Sequence, residues 1–256
     1  MARKIKIPNE RLKRFAREEQ KRKKNIRNKR KYYLIVCEGE ATEPNYFEGL
    51  KQDLPKGVLT AYQIDIAGTG RNTQSLVDEA LRLKGAYEKV PPREVDKRWV
   101  VFDKDSFSPQ DFNTAIQRCG NIDIGCAWSN EAFELWYLLH FQYYENAMSR
   151  GYFKGLIENS LKPVLGKTFR YEKNSEHMYA LLKEHGSQED AIRNGKRLSS
   201  KYGHRQDYAN HNPCTKVWVL VEELLKLKKI DFKREFIMSF HDPILPSLIS
   251  LITLTF

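Results

Sequence analysis

Little in this chain suits export or a membrane. It has only four cysteines, Cys37, Cys119, Cys126 and Cys214, and none of them forms a CxxC pair. That argues against a disulfide framework, and reduced thiols in a cytoplasmic protein are expected. The N-terminus is basic and polar and has no apolar h-region, so a signal peptide is not expected. Residues 237–256 are apolar, but Pro243 and Pro246 interrupt them, and the 10 residues after Pro246 are too few for a helix to cross a bilayer. No internal repeat occurs. His204, His211 and Cys214 fit no common zinc spacing and lack a fourth ligand. The stretch Gly68-Thr69-Gly70-Arg71-Asn72-Thr73 is neither a GxxxxGK[ST] loop nor a GxGxxG loop.

Over most of its length the chain also lacks net charge. Residues 1–31 contain 15 Lys and Arg against 3 Glu, a net +12, whereas the whole chain is +11. The remainder therefore sums to −1, and the basic character belongs to an arm. Such an arm attracts phosphate backbones, with Lys21, Arg22, Lys23, Lys24 and Arg27 as its densest contact set. A helix over residues 10–30 would be polar nearly all round and weakly anchored. The apolar content of 41% is enough for a sizeable core.

Beyond the arm, strands and helices alternate. Lys31 to Cys37 is rich in aromatic and β-branched residues and reads as a strand. Thr42-Glu43-Pro44 reads as a helix start with a hydroxyl cap, and Tyr46, Phe47 and Leu50 mark its buried face. Val58 to Ala67 reads as a second strand, followed by a helix from Thr73 with Leu76, Ala80, Leu83 and Tyr87 on one side. The third strand carries Trp99-Val100-Val101-Phe102, four residues that suit burial on both faces. Pro109 opens a helix, Ile122–Trp128 forms a fourth strand, and Asn130 is placed to cap the next helix. This order predicts an α/β fold with a parallel four-stranded sheet flanked by helices over residues 31–142. Helices at Tyr152–Leu161, Ser175–His185, Gln188–Lys201 and Thr215–Lys229 then form a helical extension over 143–233. An arm at 1–30 and an apolar tail at 234–256, suited to docking or to a homo-oligomer, complete the organisation.

Acidic residues recur where strands end. Glu38 and Glu40 follow strand one, and Asp103 and Asp105 follow strand three. Residues i and i+2 of a strand share a face, roughly 7 Å apart, so the two aspartates are expected on one side. Glu131 and Glu134, three apart at the start of the next helix, would share a helix face at the same edge. The carboxyl ends of strands are where open α/β sheets bind ligands. Carboxylates gathered there need a hard cation such as Mg²⁺ or Mn²⁺, and that combination suits phosphoryl chemistry. Glu43 reads equally well as a site acid or as an acid favoured at a helix N-terminus. Arg71, before the second helix, is a candidate phosphate clamp.

Two resemblances follow from these residues. Glu38 after strand one with Asp103-Lys104-Asp105 after strand three resembles the Toprim pattern of topoisomerases, primases and OLD-family nucleases. The stretch Cys37-Glu38-Gly39-Glu40-Ala41-Thr42-Glu43-Pro44-Asn45-Tyr46-Phe47 more narrowly resembles the opening of the RloB-like family, and Asn130-Glu131-Ala132-Phe133-Glu134 and Asn212-Pro213-Cys214-Thr215 resemble its later motifs. The resemblance implies a Mg²⁺-dependent nuclease acting on DNA or RNA, tRNA included, in anti-phage defence, with an ATPase partner from the same locus. It implies Glu38 as the acid/base residue, Asp103 and Asp105 as metal aspartates with Glu38 also touching metal, and Glu131 and Glu134 as further catalytic acids. Two other readings stay open. Phe102-Asp103-Lys104-Asp105-Ser106 also resembles the nucleophile motif of haloacid-dehalogenase phosphatases, and a non-catalytic nucleic-acid-binding subunit would need no metal.

Overall fold

The computed structural model describes residues 31–69, 73–89, 94–105 and 107–239. Its sheet runs in the order β2-β1-β3-β4-β5. β1 (Lys31–Cys37), β2 (Tyr62–Gly68), β3 (Val95–Asp103) and β4 (Gly125–Asn130) are parallel, and the two-residue β5 (Cys214–Thr215) adds antiparallel to β4. The sheet thus has one strand more than expected, and its source is the far end of the chain.

Alternation along β1 and β3 makes two cores. Ile35, Cys37, Trp99 and Val101 face one side with α1 (Thr42–Gln52), whereas Leu34, Val36, Val100 and Phe102 face the other with α3 (Thr73–Glu88) and α4 (Pro109–Asn121). Trp99 to Phe102 is buried on both faces as expected, since each central strand is covered by helices above and below. α4 starts as the sequence predicts, with Ser108 accepting from the Asp111 N–H at 3.1 Å and Pro109 in the first turn.

Several elements differ from expectation. Val58 to Ala61 belongs to α2 (Lys56–Ala61), and β2 begins only at Tyr62. A short apolar run does not distinguish helix from strand, and the alternating tail was the true strand signal. Thr42 does not cap α1, because its hydroxyl donates to Asn174 Oδ1 at 2.6 Å. Asn130 ends β4 and donates its amide to the Ala209 carbonyl at 2.9 Å instead of capping a helix.

The later helices are α5 (Glu134–Leu138), α6 (Phe153–Leu165), α7 (Met178–His185), α8 (Gln188–Tyr202) and α9 (Val217–Ser239). Their buried residues, among them Trp136, Leu161, Leu182, Leu198 and Leu220, join the core on the α1 face of the sheet. The aromatic run from Trp136 to Tyr144 lies in or against this shared core. His211 is stacked on Tyr202, at 4.2 Å between ring centroids, and Cys214 is buried in β5, so both serve packing. All four cysteines are free thiols. No helix among the described residues is long and apolar enough to cross a membrane.

Candidate functional site

β2 and β3 lie on opposite sides of β1. The chain order therefore reverses between β1 and β3, and their adjacent carboxyl ends form the switch point where open sheets of this kind place ligands. Glu38 and Asp103 stand at those two ends. Ladder pairing continues past β1, with the Glu38 N–H donating to the Val101 carbonyl at 2.9 Å. The Glu38 carboxylate then accepts the Asp103 N–H at 3.1 Å.

Two glycines let the loop after β1 fold this closely. A Cβ on Gly68 would lie 2.8 Å from the Glu40 Cα, and one on Gly39 would lie 2.2 Å from Glu43 Oε2. A bare backbone at 39 leaves the space that the Glu43 carboxylate fills.

These residues line a cavity of about 390 Å³. Its walls include six carboxylates (Glu38, Glu40, Glu43, Asp103, Asp105 and Glu134) and two cations, Arg150 and Lys173. Three of the acids, Glu43, Asp103 and Glu134, are less than a tenth exposed. Asp103 Oδ2 accepts the Phe133 N–H at 3.0 Å, whereas Oδ1 is buried with no hydrogen-bond partner. Glu134 Oε1 accepts the Tyr171 hydroxyl at 3.1 Å.

Crowding and burial act together on these groups. Burial, with the charges of Glu43 and Asp105, pushes Glu38 up to about 7 against the opposing Asp103 N–H and Arg150. Burial and Glu134 raise Glu43 to about 6, although its own backbone N–H, Lys173 and Arg150 pull the other way. Burial, then Glu43 and Glu134, hold Asp103 well above the usual aspartate range.

The geometry revises the expected placement of three acids, Asp105, Glu131 and Glu134. β3 ends at Asp103, and Asp105 sits in a turn at φ 41°. The two aspartates therefore reach one cavity through a turn and not through strand alternation. Asp105 is ion-paired with Arg150. Glu131 precedes α5, which begins only at Glu134, so the pair shares no helix face. The Glu131 carboxylate accepts the Arg150 N–H at 2.9 Å and its carbonyl accepts the Asp105 N–H at 3.2 Å. It holds the rim together and does not line the cavity. Arg71, Lys21, Arg22, Lys23, Lys24 and Arg27 lie outside the described residues.

Sequence reasoning missed Arg150, Lys173 and Asn174. Asn174, at φ 70°, is tied to α1 by the Thr42 hydroxyl and by the Asn45 amide, which donates to its carbonyl at 2.9 Å. That tie carries Lys173 to the crevice from a stretch without periodicity. Glu43 was legible as a candidate, and Gly39 four residues earlier was the clue to its inward position.

Among the described residues no three His, Cys, Asp or Glu side chains are already arranged to hold a metal ion. The donor chemistry nevertheless fits a hard cation. All the donors are oxygens, Asp103 Oδ1 is buried without a partner, and the neighbouring carboxylates are short of positive charge.

The fold and this crevice define a class: an α/β domain, broadly Toprim-like, with acids at the switch point of its parallel sheet. The RloB-like protein family model matches residues 33–224, and the chain belongs to the RloB-like family. No curated protein and no solved structure matches it.

Proposed function

We propose that this protein is a Mg²⁺- or Mn²⁺-dependent nuclease that cleaves phosphodiester bonds of DNA or RNA, tRNA included, in anti-phage defence with an ATPase partner. The observation that carries the catalytic part is the buried, unpartnered Asp103 Oδ1 among raised carboxylates at the sheet's switch point. The family supports the defence setting. When bound, the metal would neutralise phosphate charge and acidify a coordinated water.

The protein's own groups divide the remaining work. Asp103, Asp105 and Glu38, which share the cavity wall, would hold the ion. Glu38 and Glu43, both on the cavity wall, would supply the general acid or base. The backbone N–H groups of Asp103 and Phe133 fix the orientation of Glu38 and Asp103. Arg150 and Lys173 are placed to meet substrate phosphate. The contact between the Glu38 carboxylate and the Asp103 N–H favours this reading over an aspartyl phosphatase, which has no use for an acid after the first strand.

The test is incubation of the full chain with Mg²⁺ or Mn²⁺ and plasmid, single-stranded DNA and total tRNA. Cleavage of one of these, lost in Asp103→Ala, is expected. Equal cleavage by the variant, or an aspartyl-phosphate at Asp103, would overturn the reading.

A further inference from the structure

A second cavity, of about 240 Å³, adjoins the carboxylate crevice and shares Glu134, Arg150 and Lys173 with it. Its other walls are Phe153, Lys154 and Tyr171. The balance of charge is reversed here. Three cations face one carboxylate, and that carboxylate already accepts the Tyr171 hydroxyl. Phe153 is 2% exposed and Tyr171 6%, so the floor is packed and fixed. Tyr171 is held further by its N–H, which donates to Glu158 at 3.3 Å. Lys154 is exposed and has no partner among the described residues.

The segment between Arg150 and Lys154 has a second peculiarity. Tyr152, in a 3-10 turn with no buried residue, is 67% exposed, more than any other large hydrophobic side chain described. Gly151 and Gly155 flank it. A Cβ on either would meet nothing within 4 Å, and neither has a positive φ. Neither the packing nor the backbone conformation of this chain asks for glycine there, and glycine inside a helix costs about 1 kcal/mol relative to alanine. Bare backbone of this kind suits close approach by something from outside.

We propose that this face binds single-stranded or looped nucleic acid. A phosphate next to the scissile one sits among Arg150, Lys154 and Lys173, and an unpaired base stacks on Tyr152. The proposal rests on the nuclease reading and names its substrate class. It explains how a polyanion approaches a crevice lined by six acids: the adjoining cations hold the strand while the acids face the reacting phosphate. Arg150 can serve both cavities, because a guanidinium has five donors and Asp105 engages only part of it. A base inside a duplex offers no free face to a tyrosine, so the preference is for unpaired strands.

The experiment is photo-crosslinking of the full chain in EDTA to a single strand of about twelve nucleotides carrying 5-iodouracil, within the length such grooves cover. The same strand annealed to its complement is the control. Crosslinks are read by peptide mass spectrometry. The expected result is a crosslink at Tyr152 with the single strand and none with the duplex. It should be retained in Tyr152→Phe, lost in Tyr152→Leu, and about tenfold weaker in the Lys154→Gln/Lys173→Gln double variant. Crosslinks confined to other residues, or equal yields with the duplex, would overturn the proposal. Failure of the two readings is distinguishable. A Tyr152 crosslink without cleavage of any substrate in Mg²⁺ removes the nuclease and keeps the strand site. Cleavage without that crosslink removes the strand site alone.

Discussion

Asp53 and Asp103 are the same side chain in opposite company. Asp53, after the end of α1, accepts bonds from Lys183, from Lys228 at 2.9 Å and from the Tyr179 hydroxyl at 3.2 Å. Burial alone would raise it, but the hydrogen bonds and charges of the two lysines outweigh that and hold it below the usual aspartate value. Asp103, at the end of β3, accepts one backbone N–H and is surrounded by Glu38, Glu43 and Glu134. Beyond the arm the chain still holds 29 Lys and Arg against 30 acids, so cations are not scarce there. They are used where helices must be joined and are held to the edge where the carboxylates converge. An arrangement that costs folding energy in one place, in a chain that avoids the same cost elsewhere, marks a site selected for something other than stability.

The largest effect that could break this contrast is on chemistry, through the Asp103→Ala loss of cleavage given above. The next is on pH dependence. His140 is buried, with Nδ1 bonded to the Trp136 carbonyl at 2.9 Å, and burial pushes it down to about 4. Its folded value lies below its unfolded 6.5, so it contributes stability above pH 6.5 that is lost as pH falls to about 4. The loss is at most about 3 kcal/mol. Glu38 and Glu43 have the opposite sign. Their folded values lie above the unfolded 4.5, so their contribution is full below pH 4.5 and is lost as pH rises through about 6 and about 7. Over pH 4.5 to 6.5 these opposing contributions overlap, so urea unfolding in EDTA reads their sum. His140→Gln should make stability fall more steeply as pH rises through that range, and Glu38→Gln should make it fall less steeply up to about pH 7. If Glu38→Gln leaves the curve unchanged, the crevice is not under electrostatic strain.

A smaller effect sharpens the comparison through the metal. An ion that binds only the folded crevice stabilises it by about 1.4 kcal/mol at ten times Kd. Asp103→Asn keeps the shape and removes one repelling charge. Thermal melts should therefore find the ion-free variant at least as stable as wild type, with no response to Mg²⁺. A variant that is less stable without the ion, together with a wild type indifferent to Mg²⁺, would place Asp103 with Asp53 among structural aspartates.

The legible part of this site came from two strands. Residues 33–37 and Trp99–Phe102 are apolar on both faces because they lie in the central strands, and their ends put Glu38 and Asp103 side by side. Asp105 was assigned to the crevice by the wrong route, since two-residue alternation ends where the strand ends. Glu131 and Glu134 were given a shared helix face because the helix start was set three residues early. Arg150 and Lys173 left no local trace: a 3-10 turn and an irregular loop have no period, and their positions depend on long-range bonds through Glu131, Thr42 and Asn45. β5 is two residues long, too short for any pattern.

The smallest expected effect lies on the other side of the comparison. Asp53 joins α1 to α7 and to α9 through side chains that keep some access to water: Lys183 is 58% exposed, and Lys228 and Asp53 are 30% and 25% exposed. Solvent screens such pairs, so Asp53→Asn should cost only about 1 kcal/mol at low salt and less in high salt. Because its carboxyl is held below the ordinary value, its contribution is present above pH 3.8 and is lost as pH falls below that, in the opposite direction to Glu38 and Glu43. A double-mutant cycle of Asp53→Asn with Lys228→Met separates the ion pair from the packing of the lysine stem. A coupling that shrinks with salt and vanishes in acid identifies Asp53 as a neutralised structural carboxylate. A coupling of zero would mean that the lysines merely lie nearby, and the contrast with Asp103 would then rest on the crevice alone.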